Sequence, residues 1–164
     1  MTSRRSIAEV LADARARLSR LTPREAYAAQ QSGAVLVDIR PQRHREIEGE
    51  LPGGLAVERN VLEWRFDPSS DARLGIASYN LQVIVVCNEG YTSSLAAAAL
   101  HEVGIRRATD IIGGFRAWRS MGLPTVAGDG SISTATAGDG DELRAPAAAR
   151  GSVPTPRQSA IVAG

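Results

Sequence analysis

The chain has 164 residues, 43% of them apolar, and 19 basic against 18 acidic side chains give a net charge of +1. That is length for one domain with residues to spare and enough apolar material for a core, and the even balance argues against a dedicated nucleic-acid binder or a membrane-surface protein. Every basic residue is arginine, which removes Schiff-base lysine chemistry and a P-loop lysine, and the single cysteine, Cys87, removes an internal disulfide and fits a reducing, cytoplasmic setting.

No run is apolar for long enough to span a bilayer, and residues 1–20 lack the apolar centre of a secretory signal. In that segment Ile7, Val10, Leu11, Ala14 and Leu18 recur at helical spacing, which predicts a helix over residues 6–19 as an N-terminal extension. A second helix is announced by Thr22-Pro23-Arg24-Glu25. Thr22 can cap it, Pro23 suits its first position and Glu25 completes a capping box, with Gly33 as the stop. Residues 34–39 and 81–86 are apolar runs rich in β-branched side chains and read as buried strands; residues 108–112 form a weaker third. Between the last two, residues 93–103 are rich in alanine and leucine and end at Gly104, so strand, helix and strand make a parallel crossover. Gly113-Gly114 then turns into a short helix carrying Trp118, closed at Gly122-Leu123-Pro124.

From residue 127 the chain is rich in Ala, Gly, Ser, Thr and Pro and has no aromatic residue, and residues 127–164 read as a disordered tail. Asp129-Gly130 and Asp139-Gly140-Asp141 lack the spacing and closing Glu of a calcium loop and read as turn chemistry.

Cys87 follows directly on the second strand, and Asn88-Glu89-Gly90-Tyr91-Thr92-Ser93 leads from it into the alanine-rich helix. Such a junction aims backbone N–H groups and the positive end of a helix at the sulfur, which favours a thiolate. Gly90 permits the tight curl a cradle needs, and Thr92 and Ser93 offer hydroxyls at its rim. By position alone the cysteine reads equally as a nucleophile or as a small buried apolar side chain.

The loop Cys87-Asn88-Glu89-Gly90-Tyr91-Thr92-Ser93 resembles the active-site loop of rhodaneses, in which Cys is followed by two variable residues, Gly, one variable residue, Arg or Thr, then Ser or Ala. Val37-Asp38-Ile39-Arg40 is similar to that family's Asp-x-Arg strand end. Residues 46–54 are similar to its Glu-x-x-Gly-His-Ile-Pro-Gly-Ala segment, and Gly113-Gly114-Phe115-Arg116-Ala117-Trp118 to its Gly-Gly-aromatic-x-Ala-Trp turn. On these motifs residues 21–126 are identified as a rhodanese-like domain of the single-domain sulfurtransferase kind. The resemblance implies an α/β three-layer fold, a mostly parallel sheet of about five strands with helices on both faces, and an active loop at the carboxyl end of a central strand. It further implies that Cys87 takes a sulfane sulfur from a donor such as thiosulfate and passes the persulfide sulfur to a thiol or cyanide, or to a protein acceptor. Asn88, Glu89, Gly90, Tyr91, Thr92 and Ser93 would form the binding loop. No metal or other cofactor, and no nucleic-acid or membrane partner, is expected. Two positions depart from the pattern: Glu50 stands where the family carries His, and Thr92 where many single-domain members carry Arg.

Asp38, Arg40 and Glu46 read as structural support of the site, with Glu46 as the partner of Arg40. Arg65 is placed among the substrate-binding residues, where it would offset Glu89; the alternative is a solvated loop arginine. His44 and His101 lie on separate elements and make no metal set with one cysteine. Ser93 and Ser94 read as a helix start, and Trp64 and Trp118 as core residues. Two rival functions stand beside sulfur transfer. A cysteine phosphatase of the same superfamily would need Arg where Ser93 lies, six residues after the cysteine. A non-catalytic binding or sulfur-sensing module could use the same fold.

Overall fold

The computed structural model describes residues 4–134. Its first helix, α1 (Ile7–Ala16), opens on a capping box between Ser6 and Glu9, and α2 (Pro23–Gln31) on the expected one between Thr22 and Glu25. The backbone N–H and hydroxyl of Thr22 hold the Glu25 carboxyl below the usual carboxylate range. The chain continues through β1 (Val35–Asp38), α3 (Gln42–Glu48), β2 (Leu55–Ala56), a 3₁₀ turn and α4 (Leu62–Phe66) to β3 (Val83–Val86). Then follow α5 (Thr92–Glu102), β4 (Thr109–Asp110), α6 (Gly114–Ser120), β5 (Thr125–Val126) and β6 (Ile132–Ser133).

Four strands form one parallel sheet in the order β2-β1-β3-β4, and Leu21 adds a single parallel bridge to Ile111 beyond β4. The sheet is covered on both faces, as the unbroken apolar run of β3 requires. Because side chains alternate along a strand, Val83, Val85 and then Cys87 point into the layer with Leu62, Phe66, Ala96 and Leu100 of α4 and α5. Ile84 and Val86 point into the opposite layer with Ala26 of α2 and Phe115 and Trp118 of α6. Each fully buried side chain of this size stabilises the fold by about 1.5–3 kcal/mol. Trp118 also donates Nε1–H to the Pro124 carbonyl at 2.8 Å and meets Tyr27 edge-on. Trp64, expected in the core, is instead 60% exposed on α4.

Helix α1 packs outside α5, and Arg17 pairs with Glu102 across that contact. The segment after α1 is tied to the sheet edge. Leu21 N–H donates to the Asp110 carbonyl, Ile112 N–H to the Leu21 carbonyl, and the Thr109 hydroxyl to the Ser19 carbonyl.

The expected tail begins too early. Strand structure continues to Ser133, because β5 and β6 pair antiparallel and Val126 exchanges two backbone hydrogen bonds of 2.8 Å with Glu50. Asp129 builds the turn between them by accepting from the Ser131 hydroxyl and N–H, and these bonds hold its carboxyl below the usual range. Residues 127–134 are exposed throughout, so local hydrogen bonding rather than a core orders them. Asp139, Gly140, Asp141 and the rest of residues 135–164 lie outside the described residues. Among the described residues, no helix is long and apolar enough to cross a membrane.

Candidate active site

Cys87 sits at the carboxyl end of β3, between β1 and β4, where open parallel sheets place their ligands. Its sulfur lies 3.2 Å from the Gly90 N–H nitrogen, 3.4 Å from that of Ser93 and 3.2 Å from the Ser93 hydroxyl. Backbone donors at the start of α5 therefore converge on Sγ and stabilise negative charge there.

The loop can curl this tightly because two glycines let backbone meet backbone. Gly90 has φ +82°, and a Cβ there would stand 2.8 Å from the Gly113 nitrogen and 2.9 Å from the Ile111 carbonyl oxygen. Gly114 has φ +62°, and its Cβ would fall 2.5 Å from the Cys87 carbonyl oxygen. The approach leaves room for α6 to serve the loop: Phe115 N–H donates to the Cys87 carbonyl at 2.8 Å and Arg116 N–H to that of Asn88 at 3.1 Å.

Above the sulfur opens a pocket of about 370 Å³. The loop contributes Cys87, Asn88, Glu89, Tyr91 and Thr92 to its wall. The opposite wall is Ile39, Arg40, Pro41 and His44, from the end of β1 and the start of α3. Gly90 and Ser93 do not line it; they supply the amides behind the sulfur. The Asn88 side-chain oxygen is buried with no protein partner.

Arg40 lines the pocket, yet its guanidinium is fully engaged. It meets the Asp38 carboxylate through Nε at 3.0 Å and Nη2 at 2.7 Å, donates to the Gly49 carbonyl at 2.8 Å, and stacks 3.6 Å from the Phe115 ring centroid. Its remaining nitrogen faces Glu48 at 3.4 Å. Glu46, expected as the partner, is exposed on the next turn and accepts from Gln42 instead, because α3 presents Glu48 toward the sheet end. Arg65 does not reach the pocket either: its guanidinium donates to the Ala72 carbonyl at 2.7 Å, which turns it back over the loop after α4. The cation beside Glu89 is Arg116 of α6, paired with it at the surface. Glu50 keeps a structural place, its backbone bonded to Val126 and its carboxylate 3.7 Å from Arg45.

Sequence reasoning missed what lies behind the loop. Asp110 is fully buried, and one carboxylate oxygen accepts from the Ser93 hydroxyl at 2.8 Å and the Ser94 hydroxyl at 2.7 Å. An acid inside an apolar strand run is a signal in itself, since a buried carboxylate demands partners. Arg20 supplies the counter-charge, at 2.8 Å, and both Arg20 and Arg15 donate to the Gly90 carbonyl. Nothing in the sequence distinguishes these two from the other arginines.

A parallel sheet between two helical layers, with one cysteine cradled by amides at the end of the central strand, defines a cysteine-loop α/β domain. Residues 22–121 match the family model for the rhodanese-like domain, and the chain belongs to that family. It is 32% identical over 100 residues to a thiosulfate sulfurtransferase GlpE of Stutzerimonas stutzeri, covering 61% of this chain and 84% of that one. It is 33% identical over 102 residues to the adenylyltransferase and sulfurtransferase MOCS3-2 of Zea mays, covering 61% of this chain. There the matched stretch spans 21% of the relative's length. A solved structure from Rhodopseudomonas palustris, described as a protein of unknown function and possible tyrosine phosphatase, superposes with a TM-score of 0.69 at 34% identity, over 76% of this chain and 97% of that one.

Proposed function

We propose that this protein is a sulfurtransferase that carries sulfane sulfur on Cys87. The thiolate attacks the outer sulfur of a donor such as thiosulfate. The donor's S–S bond breaks, sulfite leaves with the electron pair, and Cys87 holds a persulfide. An acceptor thiolate or cyanide then attacks the terminal sulfur, and the Cys87 thiolate departs with the electrons of the Cys87–sulfur bond. A protein persulfide acceptor fits the same chemistry, and a cytoplasmic setting suits the unpaired thiol. The observation that carries this reading is Sγ at the base of an open pocket with the Gly90 and Ser93 amides aimed at it. Such donors stabilise charge on the attacking sulfur without reorganisation.

A phosphatase reading is weaker on the residues. Phosphate-ester chemistry calls for a guanidinium free to face the pocket. Among the described residues Arg40 is committed to Asp38, and Ser93 holds the place where such an arginine would sit. A sulfur-sensing module differs from an enzyme in the second step only, whereas a binding module takes up no sulfur at all. Steady-state kinetics with thiosulfate and a thiol acceptor decide between them. The expected result is parallel double-reciprocal lines, the sign of a ping-pong cycle; acceptor-independent loading without turnover would support the sensing module, and no loading at all would reject sulfur transfer in favour of the binding module.

The rim charge gives a further expected result. Glu89 and Arg116 are both about half exposed and cancel one another at the pocket edge. Glu89→Gln frees a cation for dianionic thiosulfate and should raise kcat/KM about two- to fivefold, and Arg116→Gln should lower it to a similar extent. Both effects should shrink in high salt. Equal kcat/KM for both variants and the parent would remove these side chains from donor binding.

A further inference from the structure

We propose that Arg15 and Arg20, which lie upstream of the family match, are positioning residues of the Cys87 loop: they lock the Gly90 peptide and, through Asp110 and Ser93, set the reactivity of the sulfur. The inference rests on Cys87 being the reacting atom.

Two charged donors meet one carbonyl. Arg15 Nη2 lies 2.8 Å and Arg20 Nη2 3.0 Å from the Gly90 oxygen. Gly90 has φ +82° and no side chain to hold it there, so without these bonds its conformational freedom is available to the loop. In a planar trans peptide the Tyr91 N–H points opposite to the Gly90 C=O. The two arginines thus fix the direction of that N–H along with the residue whose own N–H meets Sγ. Arg15 also reaches the Ser94 hydroxyl at 3.2 Å and lies over the Tyr91 ring, 5.3 Å from its centroid. α1 is in this way part of the loop's support.

The second contribution is through one proton. The Ser93 hydroxyl has a single hydrogen, and two acceptors compete for it: Asp110 at 2.8 Å and, once deprotonated, Sγ at 3.2 Å. While the hydroxyl serves Asp110, its oxygen can only accept from a thiol S–H. A thiolate gains Ser93 as a donor only if Asp110 releases it. Arg20 makes this inexpensive by holding both Asp110 oxygens, at 2.8 and 3.1 Å, while Ser94 keeps its own bond. The same guanidinium offsets a buried negative charge that would otherwise repel the thiolate.

The charged groups around Cys87 come from several packed elements. Asp110 lies on β4, Arg15 on α1, and Arg20 between α1 and α2. Asp38 and Arg40 neutralise one another at the end of β1, Glu89 is paired with Arg116, and His44 lies across the pocket. The last five are unchanged in the variants below, so their titration cancels in the comparison.

The test is the rate of Cys87 alkylation by iodoacetamide, a neutral reagent, measured on the full chain from acid to alkaline pH. Arg20→Gln should slow alkylation about tenfold near neutral pH, because Asp110 without its counter-charge keeps the Ser93 hydroxyl and repels the thiolate. Adding Asp110→Asn to Arg20→Gln should restore most of the rate, because the competing carboxylate is gone. A structural loss alone would loosen the loop and expose the buried Cys87 to the reagent, which speeds alkylation rather than slowing it. Arg15→Gln, at a half-buried site on a surface helix, should slow alkylation about threefold with the melting temperature nearly kept. If Arg15→Gln superimposes on the parent, or if Asp110→Asn fails to rescue a folded Arg20→Gln, the proposal is overturned. Alkylation needs no sulfur donor, so a response here with no sulfur transfer would retain this inference and reject the function proposed above.

Discussion

Cys87→Ser is expected to lower sulfur transfer at least about a thousandfold while the protein keeps its fold. The substitution exchanges one atom. The serine oxygen can still accept from the Gly90 and Ser93 amides, and the layer of Val83, Val85 and Leu100 against which residue 87 packs is unchanged. A hydroxyl is not ionised at neutral pH and cannot hold a sulfane sulfur as a persulfide. Rates with thiosulfate and a thiol acceptor, beside a thermal melt, check both halves. Residual turnover near the parent's would place the chemistry elsewhere.

Arg40→Met should give the largest loss of stability. Arg40 has no exposed side-chain surface and Asp38 almost none, so removing the guanidinium leaves a buried carboxylate whose remaining bond on this side is the backbone N–H of residue 40 at 3.0 Å. Breaking a buried pair from one side costs about 3–5 kcal/mol. In a domain of this size that is a fall in melting temperature on the order of 10–20 °C. The lost contact with the Phe115 ring adds to it. Pairing the change with Asp38→Asn should recover a large part, since no bare charge then remains. Differential scanning calorimetry on the single and double variants measures this; a single variant within a few degrees of the parent would mean that water reaches Asp38.

The parts of this fold legible in the sequence are those whose physics is local. Strands β1 and β3 are buried on both faces and so read as continuous apolar runs, and the Thr22–Glu25 box marks α2 to the residue. The two-residue strands β2 and β6 carry no run long enough to read; each exists because a neighbour is already in place. At the site, the order Cys87, Gly90, Ser93 after an apolar strand was enough to point to the amide cradle. Its support was not legible, because Arg15 meets Gly90 across 75 residues and Arg20 meets Asp110 across 90. The directions of Glu46 and Arg65 are not legible for a related reason. The pitch of α3 and the turn after α4 decide which way each side chain faces.

The most direct test of the central claim is the intact mass of the protein after exposure to thiosulfate and removal of excess reagent, for the parent and for Cys87→Ser. The expected result is a gain of one sulfur atom on the parent that is lost on adding a thiol or cyanide, and no gain on the variant. No added sulfur on the parent, or the same gain on both, would contradict it.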